Sequence, residues 1–376
     1  MKIGFDAKRL FCNFTGLGNY SRTLVANLAK FHPTHAYHLY SPTLKKQPKT
    51  APFSELPYQF FVPKTAFKSL WRSLSILKQL QQDQIELYHG LSHELPIGIQ
   101  KSAVKSIVTI HDLIFKAYPK TYSFFDRKIY DWKFRYSCQK ADRIIAISEH
   151  TKQDIIQYYN IKPKKIQVIY QACQNLYYTL NDPTSVEALL QKYQLPKRYI
   201  LSVGTIQERK NLKLLIKAYQ HLPKTQQLPI VIVGNGGTYK KEVLELIQKM
   251  QLEKLVFWIT NLESDKTLQA LYQKATLLVY PSFYEGFGLP VVEALLSKTP
   301  VITANTSALK EAGGPHSLYI SPTDDKALAK AIQQVLKHPK LAQNMSQKGY
   351  EYAHENFHPE KLSQQLISCY QTILAQ

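Results

Sequence analysis

At 376 residues the chain exceeds the size of one ordinary hydrophobic core, so we expect two domains. Its 44% hydrophobic and 20% charged residues are typical of a folded globular protein and exclude a disordered or fibrous chain. The formal net charge of +21 favours anionic partners, such as nucleic acid, phosphorylated small molecules or an acidic membrane surface. Because the sequence has no compact basic stripe and no known reading motif, we expect no nucleic-acid partner.

The cysteines, the N-terminal residues and the lengths of the apolar runs indicate the cellular compartment. The four cysteines lack the spacing of a metal or redox site, which indicates reduced thiols. Residues 1–6 resemble a strand rather than a signal peptide, and no apolar run reaches the length of a membrane span. We therefore expect a cytoplasmic protein.

Strand-like apolar segments alternate with helical patterns through the first half, which predicts a parallel sheet with crossover helices. These segments are residues 37–40, 106–110, 143–147 and 166–169. A glycine turn that contains Gly16 and Gly18 precedes a helix predicted over residues 21–30. A histidine and an aspartate, His111 and Asp112, follow the strand at 106–110.

A second series of strands lies at residues 199–204, 229–234, 255–259, 276–280 and 300–303. The fold class is therefore α/β, with two tandem Rossmann-like doubly wound domains over residues 1–172 and 190–358. The segment between them reads as a hinge. The closing segment Pro359–Leu374 has one apolar helical face, so we expect residues 359–376 to pack back on the N-terminal domain. Ligands of such sheets bind outside the carboxyl ends of the strands, which predicts an active-site cleft between two facing domains.

The most informative stretch runs from residue 280 to residue 293 and combines a strand end, a glycine-rich turn and a helix over Leu289–Leu296. The unpaired N–H groups at the helix start can bind an anion, whereas the carboxylates of Glu285 and Glu293 can accept hydrogen bonds from sugar hydroxyls. A ligand with both features is a nucleotide diphosphate sugar, which the stretch therefore predicts. The alternative is that both glutamates are helix-start residues favoured by the dipole. The backbone expected to approach the ligand belongs to Gly286, Phe287, Gly288 and Leu289.

Two cations, Arg209 and Lys210, follow a glycine turn at Gly204 and precede a helix. They can grip a diphosphate and neutralise it as a leaving group. Solvated surface charges are the alternative. On the first domain, His111 can donate a hydrogen bond to a sugar hydroxyl or steady a cationic transition state. Asp112 either holds His111 or caps a helix.

The sequence disfavours a nicotinamide dinucleotide as ligand. The turn at Gly16 and Gly18 has Ser21 in place of the third glycine of the dinucleotide-binding motif, and the turn at residues 234–237 does not match that motif either. With no Asp-x-Asp pair, we expect neither a metal nor a cofactor. Residues 123–140 interleave aromatic with basic side chains, for which ordinary packing is favoured over contact with an anionic membrane surface.

The chain resembles the family 4 glycosyltransferases of GT-B fold, close to the bacterial mannosyltransferase-like branch that builds surface polysaccharides. The resemblance covers nearly the whole length. It rests on the stretch from Glu285 to Glu293, on Gly204 with the cations at residues 209–210, on the glycine turn at residues 16–18 and on the segment 111–113.

The resemblance implies a role for each of these residues. Glu293 would hold the donor ribose, Arg209 and Lys210 the diphosphate, and residues 286–289 the donor sugar and phosphate. Glu285 would contact the transferred sugar and His111 the anomeric centre, while Gly16 and Gly18 would let the backbone approach the phosphate. Family members retain anomeric configuration, usually without metal. The sequence departs from the family pattern at Lys298, where family members often have glycine.

We therefore expect a retaining hexosyltransferase that uses a nucleotide diphosphate sugar, with a GDP-linked hexose favoured over a UDP-linked one. Its acceptor would be a glycan or a lipid-linked oligosaccharide, at the inner face of a membrane. The alternatives are a sugar-nucleotide epimerase or phosphorylase of the same architecture, or a basic scaffold that binds nucleic acid or membrane.

Overall fold

The computed structural model describes residues 1–45, 47–64, 70–119 and 122–376. Contacts between Cα atoms divide the chain into two compact units. The first unit contains Met1–Gln174 and Phe357–Gln376, and the second contains Asn175–Asn356. The segment expected to be a hinge includes the helix Pro183–Leu190, and Asn181 beside it donates to Gln269 of the second unit at 2.9 Å.

The first unit is built on a parallel sheet, with seven strands among the described residues in the order β3-β2-β1-β4-β5-β6-β7. These strands are β1 (Lys2–Asp6), β2 (Ala36–Tyr40), β3 (Tyr58–Phe61), β4 (Leu87–Gly90), β5 (Lys105–Ile110), β6 (Arg143–Ala146) and β7 (Ile166–Val168).

Helices cover both faces of this sheet, since successive residues of one strand enter different cores. Ile107 packs in one apolar cluster and Val108 in the other. A parallel sheet buried on both faces gives the continuous apolar runs seen in the sequence. The α-helices in the described part of this unit are α1 (Lys8–Cys12), α2 (Gly16–Phe31), α3 (Ile76–Gln82), α4 (Ile114–Ala117), α5 (Phe124–Lys140), α6 (Glu149–Tyr159) and, at the end of the chain, Pro359–Leu374.

The second unit repeats the design with six parallel strands in the order β10-β9-β8-β11-β12-β13. The strands are β8 (Ile200–Val203), β9 (Ile230–Val233), β10 (Val256–Ile259), β11 (Leu277–Tyr280), β12 (Val301–Ala304) and β13 (Leu318–Ile320). Its helices are α7 (Pro183–Leu190), α8 (Leu212–Ala218), α9 (Thr238–Lys249), α10 (Asp265–Lys274), α11 (Leu289–Leu296), α12 (Leu309–Gly313), α13 (Asp325–Lys337) and α14 (Pro339–Phe357).

The last helix, α15 (Pro359–Leu374), packs against α2 and belongs to the first unit. Its apolar face is buried in one of the cores of that unit. The side chains on this face are Leu362, Leu366, Ile367, Tyr370 and Ile373. In the described part of the chain, no helix is both long enough and apolar enough to cross a bilayer.

Candidate active site

Two neighbouring strands of the second unit deliver the main site residues. β8 and β11 pair in parallel, with Ile200 opposite Leu277, so their carboxyl ends lie at the same edge of the sheet. A short turn, Glu208–Lys210, follows β8 and precedes α8. The glycine-rich segment follows β11 and leads into α11, which begins at Leu289 as the sequence predicts.

The two cations and the first glutamate of the motif form one ion cluster. Lys210 Nζ lies 2.6 Å from Glu285 Oε1, and an Arg209 guanidinium nitrogen lies 2.9 Å from the same oxygen. The side chains of Arg209, Lys210 and Glu285 are only 14%, 18% and 9% exposed. Arg209 and Lys210 are therefore not solvated surface charges, and Glu285 is not simply a helix-start residue.

The charge state of Glu285 follows from these neighbours. Burial on its own would raise the pKa, but Lys210 and Arg209 outweigh it and hold the pKa of Glu285 at about 2. At neutral pH the carboxylate is ionised and accepts hydrogen bonds. At that pH it therefore carries no proton that it could donate.

Residues outside the predicted set fix the position of Glu285. The Tyr280 hydroxyl donates to Glu285 Oε1 at 3.0 Å and also accepts from Lys210 Nζ. The backbone amide of Glu285 donates to Ser307 Oγ at 2.9 Å. Tyr280 ends the strand before the motif, which is the one sequence signal that could have singled it out. Ser307 comes from the loop after β12 and carries no such signal.

Asn211 holds the turn after β8 against the loop after β11. Its backbone is left-handed, with φ of 56°, which asparagine tolerates better than most residues. Its buried amide nitrogen donates to the carbonyl oxygens of Pro281 at 3.1 Å and Pro322 at 2.7 Å. Asn211 thereby fixes the distance between the loop that bears the cations and the loop that bears Glu285.

The glycine turn enters the helix through an unusual backbone. Gly288, with φ of 120°, precedes the first helical residue, and a Cβ there would lie 3.0 Å from Leu309. Gly286 and Phe287 are buried, whereas Leu289 is half-buried. Pro290 occupies the first helical turn, where its missing N–H is tolerated. The positive φ therefore explains why glycine is needed at position 288.

Glu293 lies in α11 in a different environment from Glu285. It is half-buried, and loss of surrounding water raises its pKa to about 7. The buried hydroxyl of Tyr272 donates to Glu293 Oε2 at 2.9 Å, which opposes this rise. The two glutamates of the motif thus differ in charge near neutral pH. The sequence did not identify Tyr272, which arrives from α10.

His111 lies at the end of β5 in the first unit and is buried. Its Nε2 donates to the carbonyl of Leu91 at 2.9 Å, and its Nδ1 accepts from Gln171 at 3.2 Å. Burial lowers its pKa to about 4, so the imidazole is neutral at pH 7. A hydrogen bond from His111 to a sugar hydroxyl would have to replace one of these protein partners.

Asp112 makes a local turn contact, since its carboxylate accepts from the amide of Ile114 at 3.1 Å. This bond braces the turn that leads into α4, whose N-cap is Leu113 and not Asp112 as the capping alternative expected. Tyr20 of α2 places its ring edge-on to His111, with centroids 4.5 Å apart. The helix that begins at Gly16 and the histidine therefore meet within the first unit.

The glycines of the N-terminal turn lie inside α2, because this helix begins at Gly16 and not at the predicted residue 21. The side chain of Asn13 extends the helix by accepting from the amides of Thr15 and Gly18, both at 3.0 Å. A Cβ on Gly18 would lie 1.7 Å from the carbonyl oxygen of Asn13, so packing requires glycine there. Among the described residues, no heavy atom outside this turn lies within 4 Å of a Cβ built on Gly16, so packing does not require glycine there.

Two family models match the chain, one in each unit. The model described as "Glycosyltransferase Family 4" matches residues 14–173, and "Glycosyl transferases group 1" matches residues 185–352. The O-antigen chain mannosyltransferase B of Escherichia coli is 28% identical over 389 residues, covering 99% of this chain and 100% of the relative. The O-antigen chain mannosyltransferase RfbU of Salmonella typhimurium is 27% identical over 271 residues, covering 72% and 70%.

Solved structures share the fold. HepE of Anabaena, crystallised with UDP-glucose, superposes with a TM-score of 0.76 at 18% identity and covers 99% of this chain and 100% of its own. A glycosyltransferase of Rickettsia africae gives a TM-score of 0.78 at 19% identity, covering 99% and 98%. With both family models matched in sequence order, the chain belongs to the family 4 glycosyltransferases of GT-B fold and is similar to their bacterial mannosyltransferase-like branch.

Proposed function

We propose that the protein transfers a hexose from a nucleotide diphosphate sugar to a glycan or lipid-linked saccharide, with retention of anomeric configuration, in surface polysaccharide synthesis. The observation that carries this proposal is the buried cluster of Arg209, Lys210 and Glu285 at the carboxyl ends of β8 and β11. A guanidinium and an ammonium group converge there at the edge of the sheet where ligands of such folds bind. Both groups suit the oxygens of a diphosphate leaving group.

The roles of the carboxylates follow from their environments. Glu293, whose pKa lies near 7, can accept hydrogen bonds from ribose hydroxyls when ionised. Glu285 is ionised throughout the neutral range and would position Lys210 and Arg209 and contact the transferred sugar. The backbone of residues 286–289 would approach the sugar and phosphate. For His111, Gly16 and Gly18, the family resemblance implies contacts with the anomeric centre and the donor phosphate.

The identity of the donor is supported by the relatives. Two relatives similar to this chain are named mannosyltransferases, which favours a GDP-mannose-like donor. A UDP-sugar is the alternative, because the HepE structure was determined with UDP-glucose. Since Arg209 and Lys210 supply the positive charge, we propose that the transfer needs neither a divalent metal nor an organic cofactor. The reaction would take place in the cytoplasm.

A binding experiment tests the donor site first. Thermal unfolding would be followed with GDP, UDP, ADP and dTDP in the presence of a chelator, since a ligand that binds only the folded state raises the melting temperature. We expect a rise with one of these nucleotides. Lys210→Met should reduce the rise, whereas the matched variant Lys213→Met, which loses a partly exposed ion pair with Glu242, should preserve it. No response to any nucleotide would contradict the proposal.

A transfer experiment tests the reaction. The corresponding nucleotide sugar would be incubated with lipid-linked saccharide acceptors, again with a chelator, and the anomeric configuration of the product determined by NMR. Retention without added metal is the expected result. An inverted product, or turnover that requires a divalent ion, would overturn those parts of the proposal while leaving nucleotide binding intact.

A further inference from the structure

A row of large apolar side chains lies exposed along one side of α5. Phe125, Ile129 and Trp132 are 77%, 50% and 55% exposed. Their spacing of four and three residues places them on one stripe of the helix. The opposite side of α5 supplies the buried residues Phe134 and Cys138. Ordinary packing, the interpretation favoured by the sequence, is therefore wrong for the outer stripe.

This apolar stripe continues onto neighbouring segments of the first unit. The ring of Trp132 stacks on that of Tyr136 at 6.0 Å, and the Tyr136 hydroxyl accepts from the amide of Gly98 at 2.6 Å. Ile97, beside Gly98, donates its amide to the carbonyl of Ser73 at 2.7 Å. We define the aromatic-basic surface as the outer face of α5 together with this margin. The further exposed apolar residues of the margin are Leu70, Leu74 and Ile97.

Basic side chains interrupt the apolar ones on this surface. Lys128, Arg135 and Lys140 of α5 are exposed. Arg127 and Lys128 hold their charged groups 5.7 Å and 5.6 Å from the ring centroid of Phe124. A cation that lies against an exposed aromatic ring presents a hydrated charge beside an apolar surface.

A pocket of about 350 Å³ opens beside the surface, between α4 and α5. The cations Lys116, Arg127 and Lys128 line it together with the rings of Phe115 and Phe124. One carboxylate is present, Asp131, whose Oδ1 lies 2.7 Å from Lys116 Nζ. The pocket therefore has two positive charges more than negative ones, which suits a phosphate group attached to an apolar chain.

We propose that the aromatic-basic surface of the first unit binds an anionic lipid bilayer, with its aromatic side chains among the headgroups and its cations on lipid phosphates. Aromatic residues mixed with Lys and Arg are typical of membrane-interface helices. The centre of a protein interface is instead depleted of charge, which disfavours a second copy of the chain as the occupant. The net charge of +21 adds long-range attraction to an anionic leaflet.

Vesicle sedimentation tests this inference. The protein would be mixed with vesicles of phosphatidylcholine alone or with about one third phosphatidylglycerol, at low and high salt. We expect binding to the anionic vesicles only, weakened by salt. A variant with Phe125→Ser, Ile129→Ser and Trp132→Ser should bind at least about tenfold more weakly. A second variant, with Arg127→Glu and Lys128→Glu, should lose the salt-dependent part.

The matched control is Leu244→Ser, which removes a side chain 46% exposed on α9 of the second unit and should bind as the wild type does. The thermal response to nucleotide reports folding in every variant, because no residue of this surface belongs to the proposed donor site. Equal binding by the triple variant and the wild type, or failure of the wild type to bind anionic vesicles, would overturn the inference. So would a halved mass of the triple variant in light scattering together with unchanged vesicle binding, since the stripe would then be a dimer interface.

Discussion

Glu285 illustrates how a buried carboxylate depends on its partners. Its pKa is about 2, below the ordinary 4.5, although burial opposes ionisation, because Lys210 and Arg209 stabilise the charge. A depressed pKa adds stability that is complete above pH 4.5 and is lost as the pH falls towards 2. The shift corresponds to about 3 kcal/mol.

Glu285→Gln should therefore lower the free energy of unfolding at pH 7 by about 3 kcal/mol, since two buried cations lose their counter-charge. Urea unfolding would measure this loss, and the gap between wild type and variant should narrow as the pH is lowered from 4.5 towards 2. The control Glu242→Gln breaks a more exposed pair with Lys213 and should cost less than about 1 kcal/mol. Equal losses in the two variants would show that the Glu285 cluster stabilises the fold no more than an exposed ion pair does.

Glu293 shows the opposite behaviour, because its pKa is raised to about 7. The fold favours the protonated carboxyl, so ionisation weakens the fold as the pH rises from 4.5 to 7. If ribose hydroxyls donate to Glu293, the ionised form binds the donor more tightly. The affinity for a nucleotide sugar should then rise with pH and level off above about 7.

Calorimetry with a nucleotide sugar would test this pH dependence, because both of its phosphates are esterified and do not titrate in this range. Glu293→Gln should weaken binding and abolish the pH step. Tyr272→Phe removes the hydroxyl that donates to Glu293, so it should move the step to higher pH. A wild-type affinity that is constant from about pH 5 to about pH 8 would show that Glu293 does not bind the donor.

At the scale of elements, local signals were sufficient for some parts of the site. The glycine at position 288 and the proline at position 290 predicted the start of α11 correctly. The apolar face of the last helix correctly predicted its burial. The start of α2 was misplaced, because the side chain of Asn13 satisfies helix amides that a sequence pattern leaves unassigned. Tyr272 and Ser307 were missed because their contacts with the motif depend on how α10 and the loop after β12 pack. Only the folded chain shows these distances.

The end of α11 contains a departure from the family that the backbone explains. Lys298, where the family often has glycine, adopts φ of 56°, and its amide donates to the carbonyl of Leu295 at 3.0 Å. Its side chain lies 5.1 Å from the ring centroid of Tyr350. The left-handed conformation is costly for a residue with a Cβ, and this ring contact offsets part of the cost.

A pair of substitutions separates the two effects at Lys298. Both Lys298→Ala and Lys298→Gly lose the contact with Tyr350, but only glycine relieves the left-handed backbone. We expect the glycine variant to be more stable than the alanine variant by about 1 kcal/mol in urea unfolding. Equal stability of the two variants would mean that the positive φ carries no cost at this position.

At the scale of the whole molecule, the chain returns to its first unit after completing the second. The final helix delivers Tyr370 to the centre of the first core, where its hydroxyl lies 2.6 Å from Nδ1 of His89. His89 Nε2 lies 2.8 Å from the hydroxyl of Thr109, which lies 3.1 Å from that of Tyr20. Burial lowers the pKa of His89 to about 3, so this network is neutral.

Tyr370→Phe should preserve the packing of the ring and remove the partner of His89 Nδ1. A buried polar atom without a partner costs about 1–3 kcal/mol, so the first unit should open more readily. Amide hydrogen exchange in β4 and β5 would detect this loss. The control is Thr372→Ala, because Thr372 is exposed on the same helix and its hydroxyl donates to the carbonyl of Ser368 at 2.8 Å. Unchanged exchange in β4 and β5 of the Tyr370→Phe variant would show that the last helix holds the first unit through apolar packing alone.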